Sequence, residues 1–384
     1  MLVAHNSYQQ AGGEDAAFAA DGAILRQHGH EVIEYREDNR EVDRIGRATL
    51  AARTIWSRAS VRRLGEVLRR ARPDVAHFHN TFLLISPSAY YACRDAGVPV
   101  VQTLHNYRLL CPGSNFYRDG HVCEACLGRR APYLGAVHGC YRGSRAQSGV
   151  VAAMLAVHRW LGTWQDRVDR YIVLTQFARR KFIAGGLPPH KIAIRPNFVH
   201  PDPGPGEHRG GYALYVGRLS PDKGIATLLE AWRRLADPPP LKVVGSGPLD
   251  PLMADLPRGV EWLGYQPKPR VLALMQEAAF LVFPSELYEG FPMTIAEAFA
   301  TGLPVLASGH GAMHEIVADG RTGRHVAPGD AEHLASVVAW AARHPAALRE
   351  MGKRARAEFE ARYTSERSYE ALVRIYDEAI AARR

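Results

Sequence analysis

Five cysteines are too few to staple a chain of 384 residues, so its stability has to come from packed cores rather than from a disulfide framework. No apolar run approaches the about 20 residues that span a bilayer. The start, "MLVAHNSYQQ", has no basic segment leading into an apolar one, so no secretory signal is expected. A cytoplasmic protein with reduced thiols is the expectation. Nothing is extreme in composition: 47% hydrophobic and 23% charged residues exclude the disordered, fibrous and membrane-embedded classes. The length is too great for one ordinary core and fits two domains.

What is also short is acid. Lys+Arg number 48 against 39 Asp+Glu, a net charge of +9. Residues 1–195 hold 27 basic against 16 acidic side chains, whereas residues 196–384 hold 21 against 23. Much of the excess lies in "RIGRATLAARTIWSRASVRRLGEVLRRAR", residues 44–72, which reads as one basic helical stretch. It suits an acidic partner such as an anionic membrane surface, and equally a merely solvated helix face. No motif supports nucleic acid as that partner.

Short apolar runs alternate with helical patterns almost throughout. Strands are predicted at Leu2–His5, Glu31–Tyr35, Asp74–His79, Val98–Leu104, Arg170–Leu174 and Lys191–Arg195, and then at Tyr212–Val216, Leu241–Val244, Val260–Leu263, Phe280–Phe283 and Val305–Ala307. Helical segments between them, such as Asp15–His28, Pro87–Ala96, Ile225–Ala236 and Ala331–Ala342, imply two α/β domains, each a doubly wound parallel sheet. The expected division is residues 1–195, a linker at 196–210, residues 211–365, and a terminal helix at 366–384 that crosses back onto the first domain. That helix places Tyr369, Leu372, Val373, Tyr376 and Ile380 on one stripe. In open α/β sheets ligands sit beyond the carboxyl ends of the strands, so the default site is a cleft between the two sheets.

Three stretches of the second half fall at such strand ends. "YVGRLSPDKG" offers Arg218 and Lys223, "VVGSGP" offers Gly245 and Gly247, and "FPSELYEGFPMTIAEA" offers Glu289 and Glu297. A planar guanidinium beside an ammonium suits a diphosphate. Gly290 frees the backbone to approach a ligand, and a helix starting near Thr294 points its amides at an anion. Glu297 is placed like the acid that holds a ribose diol, and Glu289 can accept bonds from sugar hydroxyls. Taken singly, each signal is weak: Arg–Lys pairs usually form surface salt bridges, and two glutamates eight apart are usually solvated. "VVGSGP" lacks the third glycine of a dinucleotide fingerprint, which argues against a nicotinamide enzyme.

Together "GRLSPDKG", "VVGSGP", "FPSELYEGFPMTIAEAFATGLPVLAS" and "HEIVADGRTG" resemble the nucleotide-sugar-binding half of the retaining glycosyltransferases of family 4, which have the GT-B fold. The Glu289–Glu297 pair matches that family's E-x7-E signature. The first half resembles it more loosely: "AGGED", with Gly12 and Gly13, stands where the family has a glycine-rich loop, and "VVQTLHNY" aligns His105 with the histidine that faces the donor sugar. The resemblance implies that Glu289 contacts the transferred sugar, that Glu297 holds the ribose, and that the backbone of Gly290, Phe291, Pro292, Met293 and Thr294 closes around sugar and phosphate. It implies a hexosyltransferase acting with retention, with Arg218 and Lys223 on the leaving diphosphate and no catalytic metal. The implied donor is a nucleoside-diphosphate sugar, UDP-sugar before GDP-sugar. The acceptor would be a saccharide or a lipid-linked saccharide, for instance on a polyprenyl diphosphate at the inner membrane face, in polysaccharide or glycoconjugate synthesis. The competing readings are a sugar-nucleotide epimerase or phosphorylase on the same fold, and a non-catalytic carbohydrate-binding scaffold.

His77 and His79 alternate along a strand and share a face, which reads as polar lining at a strand end rather than as a metal pair. Residues 111–140 have no clear period but hold Cys111, Cys123, Cys126 and Cys140. Four thiolates in so long a loop predict a structural zinc site. His121 and His138 are substitutes, and a redox pair at Cys123 and Cys126 is the alternative. Cys93 reads as a buried small hydrophobe.

Overall fold

The structure, a computed structural model, describes residues 1–9 and 12–383. It divides into two compact units. One comprises Met1–Phe116, Glu124–Pro196 and Ser368–Arg384, and the other Tyr117–Cys123 and Asn197–Arg367.

The first unit holds β1 (Leu2–Ser7), β2 (Ile33–Asp38), β3 (Ala76–Asn80), β4 (Val100–Leu104), β7 (Arg170–Val173) and β8 (Ile192–Ile194), with the short hairpin β5 (Tyr117–Arg118) and β6 (His121–Val122) assigned to the other unit. The six strands pair in parallel in the order β2-β1-β3-β4-β7-β8. β3 and β4 are buried at every residue, as strands covered by helices on both faces must be. The chain leaves β1 toward β2 on one side and returns with β3 on the other, so the topological switch lies between β1 and β3. The last helix, Ser365–Ala381, belongs largely to this unit. It buries Leu372, Ile375, Tyr376 and Ala379 against Val3, Phe18, Val75, Val101 and Ile172.

The second unit repeats the plan with β9 (Ala213–Val216), β10 (Leu241–Val244), β11 (Val260–Trp262), β12 (Phe280–Phe283), β13 (Val305–Ser308) and β14 (Gly323–Val326), ordered β11-β10-β9-β12-β13-β14. Its switch lies between β9 and β12, the strands that carry "GRLSPDKG" and "FPSELYEG" at their carboxyl ends.

All eleven expected strands are present, with ends shifted by at most three residues. β14 was not expected, because "GRHV" lacks an apolar run; it exists because Gly323 lets the strand lie against β13, where a Cβ would meet the Val305 carbonyl oxygen at 1.9 Å. The basic stretch 44–72 is not one helix but two, α2 (Arg47–Ile55) and α3 (Arg58–Ala71). Trp56 closes the first and Ser57 caps the second, its hydroxyl accepting from the Ser60 amide. The expected linker is also not free chain: the amide of His208 donates to the Gln276 carbonyl, and its ring bonds the carbonyls of Ala278 and Thr301, all within the second unit.

Candidate functional site

In the second unit the residues singled out from sequence do converge. After β9 the chain makes a single 3-10 turn, Pro221–Lys223, closed by Gly224 at φ 69°. A Cβ at Gly224 would meet the Pro284 carbonyl oxygen at 2.0 Å, so only glycine lets this turn press onto the end of β12. The Glu286 amide donates to the Asp222 carbonyl, and Ser285 Oγ lies 3.3 Å from the same oxygen. That contact sets Lys223 beside Glu289: Lys223 Nζ lies 2.6 Å from Glu289 Oε1, and Ser285 Oγ donates to the same oxygen at 2.7 Å. Arg218 is exposed one loop away and forms no ion pair among the described residues.

Gly245 and Gly247 support this arrangement sterically. A Cβ on Gly245 would strike the Gly217 carbonyl oxygen at 1.9 Å, and one on Gly247 the Leu219 oxygen at 2.4 Å. The loop after β10 therefore lies directly on the loop that carries Arg218. Gly290, Phe291 and Pro292 lead into the helix Met293–Thr301, whose cap residue Pro292 supplies no side-chain acceptor. First-turn amides, including that of Thr294, are left for solvent or an anion. Glu297 is buried in this helix, and burial raises its carboxyl pKa against the opposing pull of Lys268, with which it is ion-paired.

Lys268 is a site residue that the sequence reading missed. The only signal was a lone lysine between two prolines, "QPKPR". His310 was missed as well. Its Nε2 bonds the Ser285 carbonyl at 3.1 Å and its ring packs on Tyr288, bracing the turn that carries Glu289. On the ribose role that the family resemblance implies for Glu297, Glu297→Ala is expected to weaken nucleotide binding by roughly tenfold, one or two lost hydrogen bonds to a charged acceptor, with titration calorimetry as the check.

The first unit gathers a different set. His105 follows β4, with Nε2 3.0 Å from His79 Nδ1. His77 and His79 do share a face, with rings 4.3 Å apart; both are buried, and His79, with His105, lines a small cavity. His77 bonds Tyr376 Oη and Thr103 Oγ1 at 2.7 Å each. Asp21, His77 and His79 are the one group of three or more potential metal ligands among the described residues. Asp21, however, pairs with Arg195, and His77 has both ring nitrogens engaged. Gly12 precedes α1 (Gly13–Gln27) and is fixed by Asp15, whose Oδ2 accepts from the Gly12 amide at 2.9 Å; Ala11 of the same stretch lies outside the described residues.

Glu14, beside those glycines, was passed over. Its Oε2 accepts from Tyr8 Oη at 2.9 Å and its Oε1 from Asn106 Nδ2 at 2.5 Å, and burial raises its pKa. The available signal was a carboxylate directly after paired glycines at the end of β1.

Burial lowers the pKa of His5, His77, His79 and His105, the last to about 3. The unfolded chain protonates these rings near pH 6.5 while the folded one resists. Stability is then full above about pH 6.5 and falls below it toward each folded pKa, by about 1.4 kcal/mol per pH unit per ring. Denaturant midpoints are expected to drop steeply between pH 6.5 and 5, and His105→Gln should flatten that slope.

The cysteine expectation finds no matching geometry. None of the cysteines forms a disulfide, and no three of Cys111, Cys123, Cys126 and Cys140, with or without the neighbouring histidines, come within the 4.8 Å that a shared ion requires, among the described residues. Cys123 falls in the segment Tyr117–Cys123, assigned to the second unit, whereas the other three belong to the first. Cys126 Sγ contacts the Pro132 carbonyl at 3.8 Å instead. Within the first unit Cys111, Cys126 and Cys140 do not gather around one point; a structural zinc held by all four thiols stays a proposal, checked by elemental analysis for about one zinc per chain. Cys93 is buried, as expected.

Comparison with known proteins places this geometry. Residues 9–197 match the family model of a glycosyl transferase 4-like domain, and residues 210–344 match that of glycosyl transferases group 1. Glycogen synthase of Mycobacterium tuberculosis is 31% identical over 306 residues, 75% of this chain and 64% of that protein. D-inositol 3-phosphate glycosyltransferase of Mycobacterium avium is 31% identical over 244 residues, 56% of each. The chain thus spans between about half and two thirds of these relatives. Anabaena HepE in complex with UDP-glucose superposes with a TM-score of 0.67 at 17% identity, covering 98% of this chain and 100% of that one. The protein has the GT-B fold, a glycosyl transferase 4-like domain followed by one of glycosyl transferases group 1.

Proposed function

We propose that the chain is a retaining glycosyltransferase that moves a hexose from a nucleoside-diphosphate sugar, a UDP-sugar before a GDP-sugar, to a hydroxyl of a saccharide or lipid-linked saccharide. The observation that carries this reading is the turn after β12: Glu289, held by Lys223 and Ser285, stands before an uncapped helix that buries a second carboxylate, Glu297. One end accepts sugar and ribose hydroxyls, and the middle offers cations and amides to a diphosphate.

In the reaction, the bond from the anomeric carbon to the diphosphate oxygen breaks, and its electron pair leaves with the nucleoside diphosphate. Arg218, Lys223 and the helix amides stabilise that charge without rearranging. The acceptor hydroxyl attacks the same face of the oxocarbenium-like sugar, and its proton passes to the departing phosphate oxygen. No metal ion is required by this scheme, so turnover should persist in chelator. An anionic acceptor or carrier on the basic first half and a cytoplasmic setting with contact to an anionic membrane belong to the same proposal; among the described residues, no helix is long and apolar enough to cross a membrane.

The test is calorimetry with UDP-, GDP- and ADP-glucose, followed by NMR of the product's anomeric configuration. Absence of binding to every nucleoside-diphosphate sugar would overturn the reading, and inversion at the anomeric carbon would overturn its mechanism. Turnover with donor alone, or with inorganic phosphate as acceptor, would point to the epimerase or phosphorylase alternatives.

A further inference from the structure

The first unit contains a groove of about 630 Å³ between the segment 42–54 and the helix Arg145–Trp160. This is the size of a small-molecule site, ~300–1,000 Å³. Its floor is buried Val42, Leu83 and Val151, and its walls are half-buried Ile45, Leu50 and Val150. Thr54, Tyr141, Ser144 and Gln147 add polar groups to this lining, and its charges are not balanced. Arg47 and Arg142 stand exposed on the rim, neither with a carboxylate partner among the described residues, against one acid, Asp43.

The groove connects to the sugar-binding candidates by an unbroken series of contacts within this unit. Arg142 Nη2 donates to Gln9 Oε1 at 2.9 Å, just past β1, and its guanidinium lies 5.6 Å from the Tyr141 ring. Tyr141 meets Phe82 edge to face, and Arg108 lies 4.1 Å over Phe82 and 5.4 Å from Tyr141. Two residues before Arg108, Asn106 donates to Glu14, beside Tyr8 and His105. The contacts therefore run from the groove through the arginines to the carboxylate of Glu14 and the amide of Asn106.

We infer that this groove holds the hydrocarbon chain of a prenyl-diphosphate-linked saccharide acceptor. The diphosphate lies against Arg142, Arg47 and Arg108, and the acceptor sugar lies at Glu14 and Asn106. Such a molecule has the same three chemistries in the same order: an apolar chain, two phosphates, and a sugar with free hydroxyls. A guanidinium pair favours the diphosphate by paired charge-assisted bonds, and the walls remove the chain from water. A nucleotide would leave the apolar walls unused, and a neutral saccharide would leave the arginines unused. The inference rests on the glycosyltransferase reading and narrows its acceptor to one class.

The test uses the full chain and three probes: geranylgeranyl diphosphate, inorganic diphosphate and geranylgeraniol, each below its aggregation limit and titrated by intrinsic fluorescence. Geranylgeranyl diphosphate should bind at least roughly tenfold more tightly than either of the others. Val150→Glu should weaken it by at least the same factor, through a charge placed in the apolar wall, and so should Arg142→Ala combined with Arg47→Ala. Each variant is first checked for a parent-like melting curve. Equal affinity for inorganic diphosphate would reduce the site to an anion patch, and equal affinity for geranylgeraniol would reduce it to a greasy cleft; either overturns the inference. So would unchanged affinity in a folded Val150→Glu or Arg142→Ala/Arg47→Ala protein. UDP-glucose binding, measured in parallel on the parent, separates the two readings. If it binds while the prenyl diphosphate does not, the groove assignment alone falls.

Discussion

Glu289→Gln is expected to bind UDP more tightly than the parent while losing sugar transfer. The two effects have opposite signs because one carboxylate does two things. In the structure Glu289 neutralises Lys223 at 2.6 Å, in a pair whose side chains are 12% and 26% exposed. In the proposed reaction Lys223 serves the diphosphate while tied to that acid. Removing the charge from Glu289 frees the ammonium, and at this exposure the gain is modest, about 1 kcal/mol or about fivefold in Kd. Transfer is another matter. The sugar loses the anion that accepts its hydroxyls as the ring becomes cationic, and a loss of about 10²–10³-fold in kcat is the scale for one preorganised electrostatic partner. Lys223→Ala should show the complementary pattern, with weaker UDP binding and a similarly reduced kcat. If Glu289→Gln binds UDP more weakly than the parent, the pair is not in competition with the diphosphate, and Lys223 has to be removed from the phosphate-binding set.

The same pair shows how far the sequence could be read. Alternation of apolar runs and helical periods placed both sheets, because parallel strands covered on both faces are mostly apolar, although β3 buries His77, His79 and Asn80 as well. Gly224, Gly245 and Gly247 were visible as glycines, but which carbonyl each one clears was not, and it is those clearances that bring the three loops together. Arg218, Lys223, Glu289 and Glu297 stood out by order along the chain. Lys268 did not, because its partner Glu297 is 29 positions away and no local period links them. The cysteines show the same limit. Nearness in sequence within a long loop says little about nearness of sulfurs, and the β5–β6 hairpin separates Cys111 from Cys123. Ser57 was legible as a cap in principle, since serine before a helical run is a start signal; the density of arginines on both sides hid it.

Arg195→Met is expected to cost about 3–5 kcal/mol, the range for removing one partner of a buried ion pair. Arg195 and Asp21 are each only 3% exposed, and their contact is bidentate, with Nη1 2.9 Å from Oδ2 and Nη2 on Oδ1. Arg195 Nε also donates to the Ser368 carbonyl at 3.1 Å, so one side chain ties the end of β8 to α1 and to the last helix. The variant leaves the Asp21 carboxylate buried without its cation, and that uncompensated charge is the larger part of the cost. Arg195→Met with Asp21→Leu should therefore recover much of the loss, because a buried pair replaced by apolar side chains of similar volume is often neutral. A second readout distinguishes this from simple loss of packing. The Arg195 charge is one cause holding His77, His79 and His105 below their ordinary pKa, and His79 Nε2 lies 3.5 Å from Asp21. In the single variant those rings should titrate at higher pH, and the acid-dependent fall in stability below pH 6.5 should become shallower. A double variant no more stable than Arg195→Met, with the slope unchanged, would mean that Arg195 acts through its packed stem rather than its charge.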